Sequence, residues 1–198
     1  MIKNGRQAAT NIQGIREDHS MRYQLAIGIA KSEGIDSVVD FGTGTGYGAW
    51  MMADAGLKVQ AYEIDQDAID YGNQYYSHPN LARHQADISD LEPSAAQMIT
   101  GFEIVEHTHA SGDFLKRCAP LCDVLVISVP NEDVVPFVTS KHRQHVRHYR
   151  PNELRDMLHN AGWRVERMGC QTGKRGAEAS VRFDTTNGRT LIAVARPL

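Results

Sequence analysis

The sequence predicts an α/β fold in which a parallel sheet is covered by helices on both faces. Strand and helix patterns alternate along the chain, as parallel strands joined by crossover helices require. Two apolar runs, 98–102 and 124–129, are short and unbroken, which is typical of strands covered on both faces. The 198 residues, 41% of them hydrophobic, suffice for one well-buried domain and are few for two, so we expect a single domain over 1–198.

The first predicted element is a helix over 15–33, where apolar residues recur at helical spacing before Gly34. We expect residues 1–34 to form a helical cap over the ligand-binding edge of the sheet. Residues 171–190 are polar and aperiodic, which indicates a long hairpin loop or a partly mobile segment. Further helices are predicted over 47–55, 66–76, 111–118 and 151–161, and strands over 37–41, 58–63, 82–86, 98–102, 124–129, 163–168 and 191–195.

Composition and charge exclude several classes of protein. The net charge of −3 gives no general attraction for nucleic acid or anionic membranes. There are three cysteines, and the spacing of Cys118 and Cys122 is not that of a CxxC pair, so neither a disulfide framework nor a zinc ribbon is indicated. No apolar run approaches the length of a membrane span. We therefore expect an unprocessed cytoplasmic protein, either a monomer or a homodimer, without a membrane partner.

The most informative motif lies at 38–46, where an apolar run leads through Asp40 into a turn with three glycines. Glycine allows the backbone to turn sharply and to approach a ligand, and the helix that follows offers unpaired N–H groups to an anion. Glu63, at the end of the next predicted strand, is placed to accept hydrogen bonds from both hydroxyls of a ribose. These features predict a nucleotide-type cofactor site. Residues 44–49 also satisfy the GxGxxA pattern, which leaves a nicotinamide cofactor open.

The sequences VVDFGTGTG at 38–46 and AYEID at 61–65 resemble the first two motifs of class I S-adenosylmethionine-dependent methyltransferases. The resemblance covers 35–165. It implies a Rossmann-like, doubly wound sheet of seven mostly parallel strands with an antiparallel last strand. The glycine turn would hold the methionine portion of S-adenosylmethionine, Glu63 the ribose and Asp87 the adenine, although Asp87 could equally be a turn aspartate. The implied cofactor-binding residues are Asp40, Gly42, Thr43, Gly44, Gly46, Glu63, Ile64, Asp87, Ile88 and Phe102.

Residues 103–107, EIVEH, resemble the ExxEH signature of ubiquinone-pathway O-methyltransferases and small-RNA terminal 2′-O-methyltransferases. In those families two glutamates, the histidine and a later histidine hold a divalent metal, and the matching residues here are Glu103, Glu106, His107 and His145. Such a set suits Mg²⁺, Mn²⁺, Fe²⁺ or Zn²⁺. Without a metal, the glutamates would be solvated, and His107 or His145 would be the candidate catalytic base.

The resemblance implies O-methylation of a small-molecule or nucleotide-like acceptor with neighbouring hydroxyls, such as a diol or catechol. A basic stretch, 141–150, is either a solvated loop or a cap that meets an anionic group of the acceptor. It carries no aromatic stacking stripe, so specificity for nucleic acid does not follow. Four residues of the first helix either line the site or lie on the surface: Arg16, His19, Arg22 and Tyr23. A nicotinamide-dependent oxidoreductase and a non-catalytic binding module stay open as alternatives.

Overall fold

The computed structural model describes residues 8–91, 94–140 and 142–198. Residues 1–7 of the predicted cap and Lys141 of the basic stretch lie outside these ranges. The helices are α1 (Glu17–Glu33), α2 (Tyr47–Asp54), α3 (Gln66–Tyr75), α4 (Ser111–Cys118) and α5 (Pro151–Asn160). The strands are β1 (Ser37–Phe41), β2 (Lys58–Glu63), β3 (Leu81–Gln85), β4 (Met98–Phe102), β5 (Val124–Pro130), β6 (Trp163–Gln171) and β7 (Thr190–Pro197).

The described strands form one sheet in the order β3-β2-β1-β4-β5-β7-β6. The strands β1 to β5 pair in parallel, and β7 runs antiparallel to both of its neighbours. The predicted Rossmann-like sheet of seven strands with an antiparallel last strand is therefore confirmed. The parallel order brings the carboxyl ends of the first five strands to one edge, where ligands of such sheets bind.

Short capping interactions fix the ends of the helices. Gly34 adopts the left-handed conformation at φ 70° and ends α1, as predicted. The Asp65 side chain accepts a hydrogen bond from the N–H of Asp67 and starts α3. The Glu153 carboxylate accepts one from the N–H of Arg150 at 2.9 Å, directly before α5. These local signals explain why the predicted helix bounds differ from the observed ones by no more than two residues.

Two apolar layers cover the sheet, one on each face. Successive side chains of a strand point to opposite faces, so Val38 packs with α1 and α2, whereas Val39 and Phe41 pack with α4 and α5. Trp163 is fully buried in the second layer and donates a hydrogen bond to the carbonyl of Leu115 at 2.9 Å. Within the described ranges, every helix is too short or too polar to span a bilayer.

The bounds of β6, next to the long loop that precedes β7, differ from the prediction. The pairing of Gln171 with Thr190 extends β6 three residues past the predicted end, because ladder hydrogen bonds do not require apolar side chains. The remaining segment, 172–189, contains a short 3₁₀ turn, Gly176–Ala179. It contacts the start of α1, where the N–H of Gly176 donates to Glu17 Oε2 at 2.5 Å. This segment therefore lies over the same edge of the sheet as the predicted site.

Candidate functional site

The glycine turn after β1 has a backbone path that only glycine adopts readily. Gly42, Gly44 and Gly46 have φ angles of 64°, 58° and 77°. A Cβ on Gly42 would lie 2.7 Å from the side chain of Ile104, and one on Gly46 would lie 2.7 Å from Nε of Arg83. The backbone conformation therefore favours glycine at all three positions, and the contact with Ile104 adds a steric reason at Gly42.

Asp40 lies beneath this turn and has no solvent exposure. Thr100 Oγ1 donates to its Oδ1 at 2.6 Å, and the hydroxyl of Tyr23 donates to its Oδ2 at 3.4 Å. Burial raises the pKa of Asp40 to about 6, although the hydrogen bond from Thr100 opposes the rise. In the structure Asp40 supports the turn from below, and its contact with a cofactor stays a prediction.

Glu63 joins the end of β2 to the glycine turn. Its Oε2 accepts a hydrogen bond from the N–H of Gly44 at 2.9 Å, and its Oε1 accepts from the N–H groups of Ile64 and Asp65 at 3.0 and 3.1 Å. The carboxylate is thus held by backbone donors on both sides, and only 4% of the residue is exposed. This arrangement orients Glu63 at the wall of a cavity.

That cavity has a volume of about 250 Å³ and lies between the turn, the ends of β2 and β3, and residues 104–108. Five of the predicted cofactor-binding residues line it: Gly42, Glu63, Ile64, Asp87 and Ile88. Ile64 is 55% exposed, so it offers apolar surface for a flat ring to cover.

Asp87 and Phe102 show that the predicted cofactor residues have more than one kind of environment. Asp87 accepts a hydrogen bond from the N–H of Ser89 at 2.8 Å, as a turn aspartate does, and it also lines the cavity. Phe102 packs edge-on against Tyr23 with ring centroids 4.8 Å apart, on the opposite side of the sheet end. Thr43 is buried within the turn. A direct contact of Phe102 or Thr43 with a cofactor stays a prediction.

Beside the cavity, three of the four predicted metal ligands come together. Ligand atoms of Glu106, His107 and His145 lie within 4.8 Å of one another. Glu106 Oε1 is 3.9 Å from His107 Nε2 and 4.0 Å from His145 Nε2. The N–H of Val146 donates to the carbonyl of Glu106 at 2.8 Å, which ties the loop that carries His145 to the 3₁₀ turn Val105–His107.

The surroundings of Glu106 favour the binding of a cation. It is fully buried, and neither side-chain oxygen has a hydrogen-bond partner among the residues that the structure describes. Burial, with a contribution from nearby Glu103, raises the pKa of Glu106 well above its usual range. Burying an unpaired carboxylate raises the free energy of the folded protein, and a divalent cation bound by this carboxylate and the two imidazoles would offset that increase. The three residues therefore fit a metal ion.

Glu103, the fourth predicted ligand, has different partners. Its Oε1 lies 3.2 Å from Nη1 of Arg22 and accepts a hydrogen bond from Ser128 Oγ at 3.1 Å. Its backbone has φ 56°, a strained value for a residue with a side chain. Arg22 is only 4% exposed, so it does not lie on the surface of the helix. The structure thus directs Glu103 to Arg22 and does not bring it into the group of three.

Burial and the neighbouring histidines favour the neutral form of His145. Burial, together with nearby His107, His142 and His148, lowers the pKa of His145 to about 3. Because a metal binds the neutral imidazole, this shift favours a ligand role over that of a general base, whose pKa is best near the working pH. Sequence reasoning did not find His148, which is joined to His145 only through the fold of the loop.

The chain resembles proteins that have been described. Residues 16–167 match the methyltransferase domain family. A probable S-adenosylmethionine-dependent methyltransferase of Mycolicibacterium smegmatis is 24% identical over 153 residues, which are 73% of this chain and 59% of that relative. Another from Mycobacterium tuberculosis is 27% identical over 135 residues, which are 64% of this chain and 48% of that relative. The chain thus spans about half of the length of the curated relatives it matches.

The fold also matches a solved structure. An S-adenosylmethionine-dependent methyltransferase from Clostridium acetobutylicum superposes with a TM-score of 0.71 at 10% identity. The superposition covers 89% of this chain and 91% of that one. At this level of identity the likeness shows a shared fold.

Proposed function

This chain belongs to the methyltransferase domain family, and on that premise we propose that it transfers a methyl group from S-adenosylmethionine to an oxygen of a small hydroxylated acceptor, with a divalent metal at the acceptor side. One observation carries the proposal. The cavity lined by Glu63 and Asp87 adjoins the group Glu106, His107 and His145, and His107 belongs to both. Donor and acceptor would therefore meet beside His107.

The cavity supports the cofactor part of the proposal. Three backbone N–H groups fix Glu63 at the cavity wall, which supports its proposed role as the ribose contact. Ile64 and Ile88 offer apolar surface on which an adenine ring would lie. The bound cofactor would supply a methyl group on a positively charged sulfur, and transfer requires an acceptor oxygen in line behind that methyl.

Glu106, His107 and His145 would hold the metal. When bound, a divalent ion would lower the pKa of a coordinated hydroxyl and fix two neighbouring oxygens. Residues of the chain itself would provide the charge and the shape of the site. The buried carboxylate of Glu106 would supply negative charge to that ion, and Ile104 and Thr108 line the cavity together with His107. Catalysis would rest mainly on positioning.

Two alternatives predict different results. Membership of the family favours methyl transfer over a nicotinamide-dependent oxidoreductase, which the GxGxxA pattern alone left open. A non-catalytic module would bind S-adenosylhomocysteine or no cofactor at all, but it would not turn over. Turnover therefore separates an enzyme from a binding module.

The proposal is tested with S-adenosylmethionine carrying a labelled methyl group and three acceptors: catechol, resorcinol and phenol. We expect methylated catechol in the presence of Mn²⁺ and a loss of about tenfold or more with EDTA, because only catechol offers two neighbouring oxygens. Resorcinol and phenol should react poorly. Equal rates with EDTA would contradict the metal part, and no product from a protein that binds S-adenosylhomocysteine would contradict this acceptor class.

A further inference from the structure

A second buried histidine lies behind His145, outside the predicted ligand set. The side chain of His148 has no solvent exposure. Its Nδ1 lies 2.6 Å from the carbonyl oxygen of Val135, and its Nε2 lies 2.9 Å from Nδ1 of His145. Three groups from one loop thus form a chain of two short hydrogen bonds that ends at His145.

The direction of these hydrogen bonds follows from their chemistry. A carbonyl oxygen only accepts, so Nδ1 of His148 carries the proton that points to Val135. In a neutral imidazole the other nitrogen is then an acceptor, and Nδ1 of His145 must be the donor. This leaves Nε2 of His145 without a proton. That atom is the one that lies 4.0 Å from Glu106 Oε1.

We propose that His148 is a positioning residue whose hydrogen bonds to Val135 and His145 hold Nε2 of His145 unprotonated and directed at Glu106 and His107, and thereby strengthen binding of a divalent metal. The inference rests on the metal part of the proposed function. Histidine ligands commonly donate their second N–H to an oriented acceptor, and loss of such an acceptor typically weakens metal binding by about 10- to 100-fold. Here the acceptor is a buried imidazole, which is itself oriented by a backbone carbonyl.

Other contacts of His148 define the variants that test this role. Its ring lies 5.5 Å from that of Phe137, and its Nδ1 is 3.9 Å from Oε2 of Glu132. Phenylalanine at position 148 would keep the ring packing and remove both hydrogen bonds. Glutamine would keep a donor for Val135 and an acceptor for His145, because its amide nitrogen and oxygen are about as far apart as the two ring nitrogens of histidine.

The first arm of the test needs no metal. Long-range ¹H–¹⁵N spectra of the metal-free protein report which nitrogen of each imidazole carries a proton, and His145→Gln assigns the His145 signals. We expect the wild-type protein to show His145 protonated on Nδ1, and His148→Phe to show a mixture of the two forms. Protonation of His145 on Nε2 in the wild-type protein would overturn the inference.

The second arm measures Mn²⁺ affinity by electron paramagnetic resonance. We expect His148→Phe to bind Mn²⁺ about 10- to 100-fold more weakly and His148→Gln to stay within about threefold of the wild type. The matched control is His142→Phe, since the ring of His142 stacks on His145 at 4.7 Å without a hydrogen bond between the rings in the structure. It should leave Mn²⁺ affinity unchanged. Affinity for S-adenosylhomocysteine should be the same in all of these proteins.

The outcomes separate the inference from the function on which it rests. If His145→Gln abolishes Mn²⁺ binding but His148→Phe does not weaken it, the positioning role of His148 is refuted and the proposed metal site is retained. If the wild-type protein binds S-adenosylhomocysteine but no Mn²⁺, the metal part fails together with the inference, and methyl transfer stands. If His148→Phe does not fold, the other two measurements test the inference. Protonation of His145 on Nδ1 and an Mn²⁺ affinity of His148→Gln within about threefold of the wild type would support it, and protonation on Nε2 would refute it.

Discussion

Three carboxyl groups at the edge of the sheet are almost fully buried, yet each has a different set of hydrogen-bond partners. Asp40 receives hydrogen bonds from the side chains of Thr100 and Tyr23. Glu63 receives three from the backbone. Glu106 receives none from the described residues. The hydrogen-bonded carboxyl groups of Asp40 and Glu63 organise the turn and the cavity, whereas Glu106 is the group that the proposed metal would stabilise.

The raised pKa of Asp40 predicts how its replacement changes the pH dependence of stability. Between about pH 4 and 6 the native protein keeps a proton that the unfolded chain has lost, so this group lowers the free energy of unfolding as pH rises. In Asp40→Asn that contribution is absent. The stability of the variant relative to wild type should therefore increase by about 3 kcal/mol across this window. Denaturant unfolding at several pH values measures it, and parallel curves would refute the assignment.

The different partners of the two ExxEH glutamates predict different effects on metal binding. Glu106→Gln should weaken Mn²⁺ binding about 10-fold or more, because it removes the charge that faces both imidazoles. Glu103→Gln should change it by less than about threefold and should mainly destabilise the fold, since buried Arg22 loses its ion pair. Mn²⁺ titrations and unfolding curves measure both variants. A large loss of affinity in Glu103→Gln would place Glu103 among the ligands, as the resemblance implied.

Individual site residues were predicted where local sequence or a family motif indicates them. The glycines and Glu63 follow from a strand that ends in a turn, and the structure places them accordingly. The pairing of Glu103 with Arg22 joins residues 81 positions apart, and no local pattern encodes it. His148 was missed for a similar reason, because its contact with Val135 depends on the path of a loop.

At the scale of elements, the contact between α1 and α2 positions Tyr23, which donates a hydrogen bond to Asp40 next to the glycine turn. Gly48 lies in the first turn of α2, directly against the ring of Tyr23, whose hydroxyl bonds Asp40. The two helices approach closely because this residue has no side chain. The turn is therefore supported by helix packing as well as by its own hydrogen bonds.

This contact predicts that Gly48→Ala is destabilising although alanine favours helices. The new Cβ would lie 2.0 Å from Tyr23, so the ring must move away from Asp40, at a cost of about 1–3 kcal/mol. Gly28→Ala in α1 is the matched control, since its Cβ would meet no atom within 4 Å. That variant should be more stable than wild type by up to about 1 kcal/mol. Thermal unfolding compares the two, and equal effects would refute the packing argument.

Elements themselves were largely predictable, and their long-range contacts were not. The bounds of β1, β2, β4 and α4 agree with the predicted ones, because each is a short pattern bounded by turn residues. The contact of 172–189 with the start of α1, which joins residues 159 positions apart, was not predicted. Such a contact follows from the topology of the sheet and leaves no period in the sequence.

At the scale of the molecule, the sheet order explains why one edge gathers all parts of the site. The turn after β1, the ends of β2 and β3, the ExxEH segment after β4 and the loop after β5 follow successive parallel strands. The family match ends at residue 167, whereas 172–189 crosses the same edge. The central claim is that this edge binds S-adenosylmethionine through Glu63.

Calorimetric titration of the metal-stripped protein with S-adenosylhomocysteine tests that claim most directly. We expect the wild-type protein to bind and Glu63→Ala to bind at least about tenfold more weakly, because the variant loses the ribose contact and the hydrogen bond to Gly44. Glu33→Ala, which removes only an ion pair with Arg196 far from the turn, should bind like wild type. No binding by the wild-type protein at millimolar concentration, or unchanged affinity in Glu63→Ala, would contradict the account.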